Sequence, residues 1–372
     1  MPSECRVENL ADLEPLSTQV AGHEKGVLQL QGGQKVVKSC LPLEVEFYET
    51  LSRPYPLAKG GGGQSELVER LSRLIPSYHG SLNHRVAEYL SEQQDDDPID
   101  NRDDLDAAVS SSVKRDPASP APPPTIVLEN LTHPFKCPNV CDIKLGTQLW
   151  DEGSSPEKRR RMENVARETT SFECGLRLTG WKTYDNSSKT YHAVGKGFGK
   201  AIGPESLPLG IRMILSSPLE GDAKEVKAKF PEKVPLPPSA ALPHLPKELV
   251  RPLVEQGIKP FLHEAISIFS SLHVRIRGGS VLLVYEGDRE SLRAGLEEKS
   301  TSGDVGANTD AATTTTLKAG KVGEGITKRV FDARFIDFGH AALVDESEGI
   351  DQGVLKGLKY LLSLVEDFEA SL

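Results

Sequence analysis

Two short runs, VLQL (27–30) and KVVKSC (35–40), flank QGGQ, and the glycine pair between them predicts a β-hairpin. LPLEVEFYETL then leads into a helix. TIVLENL (125–131) and NVCDIKLG (139–146) predict strands, the first ending in a polar turn and the second alternating in residue type. SVLLVYE (280–286) and VFDARFIDFG (330–339) predict buried strands. Helical spacing of apolar positions marks PFLHEAISIFSSL (260–272) and the C-terminal stretch from about 351 to 369. In the latter, Leu355, Leu358, Leu362, Val365 and Phe368 share a face. Ser155-Pro156-Glu157 is a helix start, with an N-cap serine, proline at the first helical position and an acid in the first turn, and the helix runs to about Glu168. The elements sort into a β-rich first part and a larger mixed remainder, an α+β, two-lobed chain. The N-lobe covers 1–131 and the C-lobe covers 132–372.

The patterning lapses in four places. Residues 92–124 carry nine acids against three bases and almost no large apolar side chain, too little burial to offset the entropy of ordering. The segment from about 288 to 327 is low in complexity and reads as a second disordered insert. GGGGQ (60–64) reads as a flexible loop and VPLPPSAALPHLP (234–246) as a proline-rich connection. No internal repeat is present.

Composition narrows the function classes. The 372 residues contain no apolar run of 18, which excludes a membrane-spanning helix, and the polar, acidic N-terminus is no secretory signal. The net charge is −10, of which 92–124 supplies −6, so the chain is not a general nucleic-acid binder. Five irregularly spaced cysteines fit a reducing compartment. Cys137 and Cys141 have no second Cys or His pair nearby to make a zinc site, and the glycine run lacks the GK[ST] of a P-loop. GKGFGK (195–200) does not fall between a clear strand and helix, so no dinucleotide fingerprint is read there. Trp150 and Trp181 read as core or rim.

Four groups of residues carry candidate chemistry. FIDFGH (335–340) puts Asp337 at the end of an apolar strand before Phe-Gly, where the strand fixes a carboxylate that can hold a metal; a turn residue or helix cap is the alternative. Asp142 and Lys144 lie two apart on a strand and so face one way, a carboxylate for hydroxyls and an ammonium for phosphate; an exposed charged face is the alternative. Lys38 and Glu46 are a candidate Lys–Glu pair of the kind that positions nucleotide phosphates in kinases. Finally, residues 156–200 hold ten Lys or Arg against five acids, with Lys158, Arg160, Arg161 and Arg167 on one short helix. Such a patch in an acidic protein suits a small, highly anionic ligand, although KRRR also reads as a nuclear import signal.

Taken in order, these residues resemble the inositol polyphosphate kinase family. The most diagnostic piece is Pro138-x-x-x-Asp142-x-Lys144-x-Gly146, the family's PxxxDxKxG signature. QVAGH (19–23), VVK (36–38), EVEFYE (44–49), LENLTHPF (128–135), SPEKRRRM (155–162), GLRLTGW (175–181), SVLLVYEG (280–287) and FIDFGHA (335–341) support it, and the whole is most similar to the fungal multikinase branch.

The resemblance implies a bilobal, protein-kinase-like fold related to ATP-grasp, with disordered inserts, and an ATP- and Mg2+-dependent kinase acting on inositol tris- and tetrakisphosphates. Siblings of the same family, an inositol hexakisphosphate kinase or a dedicated trisphosphate 3-kinase, are the alternatives, and a non-catalytic transcription-associated scaffold is the alternative of another class. Lys38 is implied to hold ATP phosphates with Glu46 orienting it, and Glu129 and Leu131 to be hinge residues giving backbone contacts to adenine. Asp142 is implied to bind the ribose hydroxyls, Lys144 the acceptor and the transferring phosphoryl, and Asp337 the metal. Ser280, in Gly279-Ser280-Val281-Leu282 where the family has Ser-Ser-Leu-Leu, is carried over as a second metal-site residue. His340 is placed beside the substrate, and Lys158, Arg160, Arg161 and Arg167 in an inositol-phosphate clamp within about 154–200. Phosphoinositide head groups as further acceptors, transcription-factor partners, no direct nucleic-acid contact, and residence in nucleus and cytoplasm follow by the same analogy.

Overall fold

The computed structural model describes residues 13–16, 18, 27–52, 61–82, 123–215, 245–301 and 329–372. The predicted hairpin forms as β2 (Val27–Leu30) and β3 (Lys35–Ser39), with β1 (Leu13–Pro15) beside β2. Gly32 and Gly33 take φ of 88° and 72° in its turn, a region open to glycine at no steric cost. Helices α1 (Pro42–Ser52) and α2 (Gly61–Ser72) follow, then β4 (Tyr78–Leu82) and β5 (Thr125–Glu129). The five strands make one antiparallel sheet in the order β1-β2-β3-β5-β4.

The chain then crosses into the second lobe. Its elements are β6 (Pro138–Leu145), α3 (Pro156–Glu168), α4 (Thr170–Cys174), β7 (Leu176–Asp185), β8 (Thr190–Val194), α5 (Lys196–Ala201) and α6 (Leu207–Ile214). After residue 245 come α7 (Lys247–Leu253), a π turn at Val254–Ile258, α8 (Lys259–Phe269), β9 (Val274–Ile276), β10 (Ser280–Glu286), α9 (Arg289–Thr301), β11 (Phe331–Ile336), β12 (Ala341–Leu343) and α10 (Gln352–Ala370). The second sheet is also antiparallel, in the order β11-β10-β6-β7-β8, and β9 pairs with β12 apart from it. The result is the expected two-lobed α+β architecture.

One apolar core runs through both lobes. Phe47, Tyr48, Leu71 and Leu74 of the first lobe pack with Phe269, Phe335 and Phe338 of the second, and Phe47 stacks on Phe338 at 4.7 Å. Leu74 O accepts from Phe335 N–H at 2.7 Å, and Arg70 makes a two-pronged contact to Glu264, both bonds 2.8 Å. The lobes are thus fastened along the α1–α2 side.

Two expectations need correction. GGGGQ is not a loop: α2 starts at Gly61, because Val68 and Leu71 bury in the core and Gln64 Nε2 donates to Ser271 O at 2.9 Å. The insert placed at 288–327 begins with helix α9, for which Asp288 accepts from Ser291 N–H at 3.0 Å while Leu292 buries and Leu296, one turn on, packs against the core. GKGFGK does not fall between a strand and a helix: it follows β8 and itself forms α5, at the edge of an antiparallel sheet and not in the turn of a βαβ unit. Residues 92–122, 234–244 and 302–328, and the QVAGH run, lie outside the described residues.

Behind the second sheet, α10 meets the α4–β7 turn backbone to backbone. A Cβ on Gly357 would lie 2.0 Å from Gly175 O, and one on Gly175, at φ 72°, would lie 2.6 Å from Gly357 N. Gly175 O also accepts from Gly146 N–H at the end of β6. Gly357→Ala should therefore destabilise the protein by about 3 kcal/mol, because backbone has to move to admit the methyl. A urea melt checks this, and a change under about 1 kcal/mol would contradict the close approach.

Candidate active site

The floor of the cleft is the second sheet. Register places Ser280 of β10 between Lys144 of β6 and Ile336 of β11, and Leu282 opposite Asp142. Strand alternation then turns Asp142, Lys144 and Ser280 to one face, as the sequence predicts for the first two. Lys144 Nζ donates to Gly278 O at 2.9 Å, which holds the ammonium near the turn before β10. Asp337 follows β11 directly, with φ 66°. Only glycine and, less often, Asn or Asp visit that region. The turn is needed because the strand must end and present the carboxylate into the cleft within one residue.

Lys38, on β3 of the other lobe, reaches across. Its Nζ lies 2.5 Å from Asp337 Oδ1 and 3.1 Å from Glu44 Oε1. The partner is Glu44 and not Glu46. Both residues are on α1, but two steps of about 100° put them on different sides of it: Glu44 is 3% exposed and inward, Glu46 is exposed. Glu44 also accepts from Phe338 N–H at 3.3 Å, so it ties α1, β3 and the Asp337 turn together. The needed signal was in the sequence: a helix opening at Pro42 places 44, 47, 48 and 51 on the buried face.

Charge is unevenly shared here. Burial pushes the Glu44 carboxyl up, against the pull of Lys38. Burial would also raise Asp337, but Lys38 and Lys144 outweigh it and hold its carboxyl below the usual range. Asp337 is ringed by protein yet keeps 42% of its side chain open, as befits the floor of an accessible cleft. Asp142 is 5% exposed, and burial first, then the Asp337 carboxylate, pushes its pKa up to about 6 against the opposing Lys144.

Between the lobes runs the 130–137 segment. Glu129 N–H donates to Ser77 O, and its carboxylate is occupied by Ser77 Oγ at 3.1 Å and by Arg329 at 3.5 Å, so its side chain is engaged by the protein. Leu131 buries with Phe135, Val140 and Val284. Glu286 fixes the far end by accepting from Lys136 and Cys137 N–H at 2.8 and 3.0 Å.

Just past the Asp337 turn, His340 meets the Asp151 loop and the start of α3. Lys158, in the first turn of α3, has its Nζ 3.8 Å from Asp151 Oδ2, and His340 Nδ1 lies 3.0 Å from the same oxygen. Ser155 caps α3 as predicted, accepting from Lys158 N–H at 3.2 Å. The clamp does not assemble whole. Met162 and Ala166 pack inward against Leu149, and helical rotation puts Arg160 and Arg167 on the outer face; Arg167 covers the Phe172 ring at 4.4 Å. Arg161, one turn from Lys158, flanks that side of the helix. Arg159 is engaged elsewhere, donating to Ser154 O and Glu152 O and lying over Trp150. Trp181 is core, in edge contact with Phe198.

Asp151 and Arg177 went unnoticed in the sequence. Arg177 sits on β7 directly opposite Lys144, is buried, and adds positive charge near Asp142. No local pattern marks either, since their relevance comes from strand register and from a loop folding back. Among the described residues no three His, Cys, Asp or Glu side chains form a metal cage. The arrangement fits instead a hard cation carried in with phosphate oxygens, which needs one or two protein carboxylates. Ser280 Oγ lies buried against the Asp142 carboxylate and near Asp337, an oxygen such an ion can use.

Comparison with known proteins decides between a generic kinase-like cleft and a particular one. The sequence profile described as inositol polyphosphate kinase matches residues 125–234 and 250–366, more than half of the chain. The chain belongs to the inositol polyphosphate kinase family. It is 27% identical over 295 residues to the inositol polyphosphate multikinase of Saccharomyces cerevisiae, covering 74% of this chain and 73% of that protein. It is 30% identical over 184 residues to the Schizosaccharomyces pombe multikinase, covering 50% and 56%. Human inositol hexakisphosphate kinase 1 is 24% identical over 258 residues, and the chain spans about half of its length (52%). The fold is shared with the crystal structure of the S. cerevisiae inositol phosphate multikinase Ipk2 in complex with ADP and Mn2+. That likeness has a TM-score of 0.57 at 21% identity and covers 90% of this chain and 99% of the other. The family match includes the signature on β6 and the Asp337 turn, the two pieces that form the floor of the cleft.

Proposed function

We propose that this inositol polyphosphate kinase transfers the γ-phosphoryl of ATP, with Mg2+, to ring hydroxyls of inositol tris- and tetrakisphosphates. The observation that carries this reading is the convergence of Lys38, Asp142, Lys144 and Asp337 on one cleft, from strands nearly 300 residues apart, with His340 and Lys158 beyond. Phosphoryl transfer asks for positioning and neutralised charge more than for covalent work. A divalent ion bound with the nucleotide would supply neutralisation of the phosphate oxygens; Asp337, with Ser280 beside it, is the residue set that would hold it. Lys38 turns from Asp337 to the nucleotide phosphates while Glu44 keeps it in place. Lys144 faces the phosphoryl group in flight. The acceptor hydroxyl oxygen bonds to the γ-phosphorus, the bridging oxygen leaves with ADP, and the hydroxyl proton goes to Asp142.

That last role differs from the ribose contact that the resemblance implies for Asp142. A carboxylate pushed to about 6 next to Asp337 and Lys144 is poised as a proton acceptor near neutral pH, and it stands among the reacting groups. The acceptor's phosphates are received by His340, Lys158 and Arg161. Phosphatidylinositol bisphosphate as a further acceptor, transcription-factor partners, and residence in nucleus and cytoplasm are proposals that rest on the family resemblance alone. No helix among the described residues is long and apolar enough to cross a membrane.

The test is incubation of the full chain with Mg-ATP and separate inositol tris-, tetrakis-, pentakis- and hexakisphosphates, with products separated by anion-exchange chromatography. Tris- and tetrakisphosphates should be consumed with equimolar ADP, and chelation of the divalent ion should stop the reaction. Turnover of hexakisphosphate alone would move the assignment to the sibling kinases, and no ATP-dependent product from any acceptor would end it.

A further inference from the structure

Asp151 is a misfit by charge. It stands among groups assigned to a polyanion, yet a carboxylate repels phosphate. It is also held firmly. Its Oδ1 accepts from Gly153 N–H at 2.9 Å and its Oδ2 from Ser154 Oγ at 2.8 Å, so its own loop fixes its rotation. The same Oδ2 faces His340 Nδ1 at 3.0 Å and Lys158 Nζ at 3.8 Å. The loop is anchored in turn. Arg159 donates to Ser154 O at 2.9 Å, and Glu152 lies 3.5 Å from Arg277, whose other prong binds the buried Asp351 at 2.7 Å. Arg277 N–H also donates to His340 O at 3.1 Å. His340 is therefore anchored through its backbone by Arg277, and its ring lies against the Asp151 carboxylate.

We propose that Asp151 is a positioning residue for the acceptor: it holds the His340 imidazole and the Lys158 ammonium at a set separation beside Asp337, so that neighbouring phosphates of the inositol ring meet groups already in place. This rests on the acceptor reading given above. A lysine side chain loses up to about 2 kcal/mol of rotamer entropy when it is fixed. With Asp151 present, that ordering takes place on folding and not on binding. Two effects of opposite sign follow. As a bystander, Asp151 would only repel the substrate, and its removal would tighten binding. As a positioner, its removal leaves a loose imidazole and a loose ammonium and weakens binding despite the lost negative charge.

The experiment measures KM for inositol trisphosphate and for ATP in the wild type, Asp151→Asn and Asp151→Glu, with melting temperatures alongside. Asp151→Asn should raise the acceptor KM roughly tenfold and leave the ATP KM within about twofold, and Asp151→Glu should recover part of the loss. An acceptor KM that is unchanged or lower in Asp151→Asn overturns the proposal. So does an equal rise in both KM values with a fallen melting temperature, since that is damage to the fold. A wild-type chain that phosphorylates no inositol phosphate removes the acceptor reading itself, and this role goes with it.

Discussion

Asp337→Asn should lower kcat by at least about 1,000-fold with the fold intact. The size follows from what the carboxylate does: it is the one acid at the cleft floor whose environment keeps it fully charged, with Lys38 and Lys144 on either side. Asn is the right substitute because it tolerates φ near 66°, which Ala does at a cost of about 1–2 kcal/mol. Loss of the charge frees Lys38 to pair with Glu44 alone, so the melting temperature should move by only a few degrees. Steady-state ADP release with inositol trisphosphate, together with circular dichroism, checks both parts. Activity within tenfold of wild type would take Asp337 out of the metal-holding role. Asp337→Ala separates charge from backbone: it should be as inactive as the Asn variant but measurably less stable.

The contrast between Glu44 and Glu46 indicates what a sequence can convey about such a cleft. Strand positions were legible, since a period of two is unforgiving: Asp142 and Lys144 must face together, and the β10–β11 pairing then brings Ser280 and Asp337 to them. The α3 cap was legible because Ser-Pro-Glu is a local signal. Helix phase was harder. A candidate acid on α1 can be placed only once the first helical residue is known, and an error of two positions turns it to solvent. On α3, likewise, the four residues named for the clamp, within a ten-residue span, cannot all point one way. Helices α2 and α9 were missed because Gly-rich and polar compositions outweighed a few apolar positions that matter only after Val68, Leu71 and Leu292 find the core. Asp151 was not legible at all, because what it touches is set by a loop folding back on residues 189 positions later in the chain.

Asp142→Asn is expected to do two opposite things. Turnover should fall by about 100- to 10,000-fold, the usual worth of a positioned proton acceptor. Stability at pH 8 should rise by up to about 3 kcal/mol. The gain is a linkage effect: a buried Asp with its pKa pushed from 3.8 up to about 6 is penalised in its charged form. The penalty is absent below the unfolded value, grows as pH climbs from about 4 to 6, and is full above the folded value. The variant's advantage over wild type should therefore vanish near pH 4 and level off above about pH 7, which urea melts at several pH values can follow. Wild-type kcat/KM should fall on the acid side of about 6 with a slope of one proton, as the free enzyme's acceptor becomes protonated. The ribose alternative makes a different forecast: Asn would keep kcat, raise the ATP KM, and leave that acid limb in place. A stabilised, slow enzyme without the acid limb would mean that the fold keeps an uncomfortable carboxylate at Asp142 because the reaction uses its discomfort.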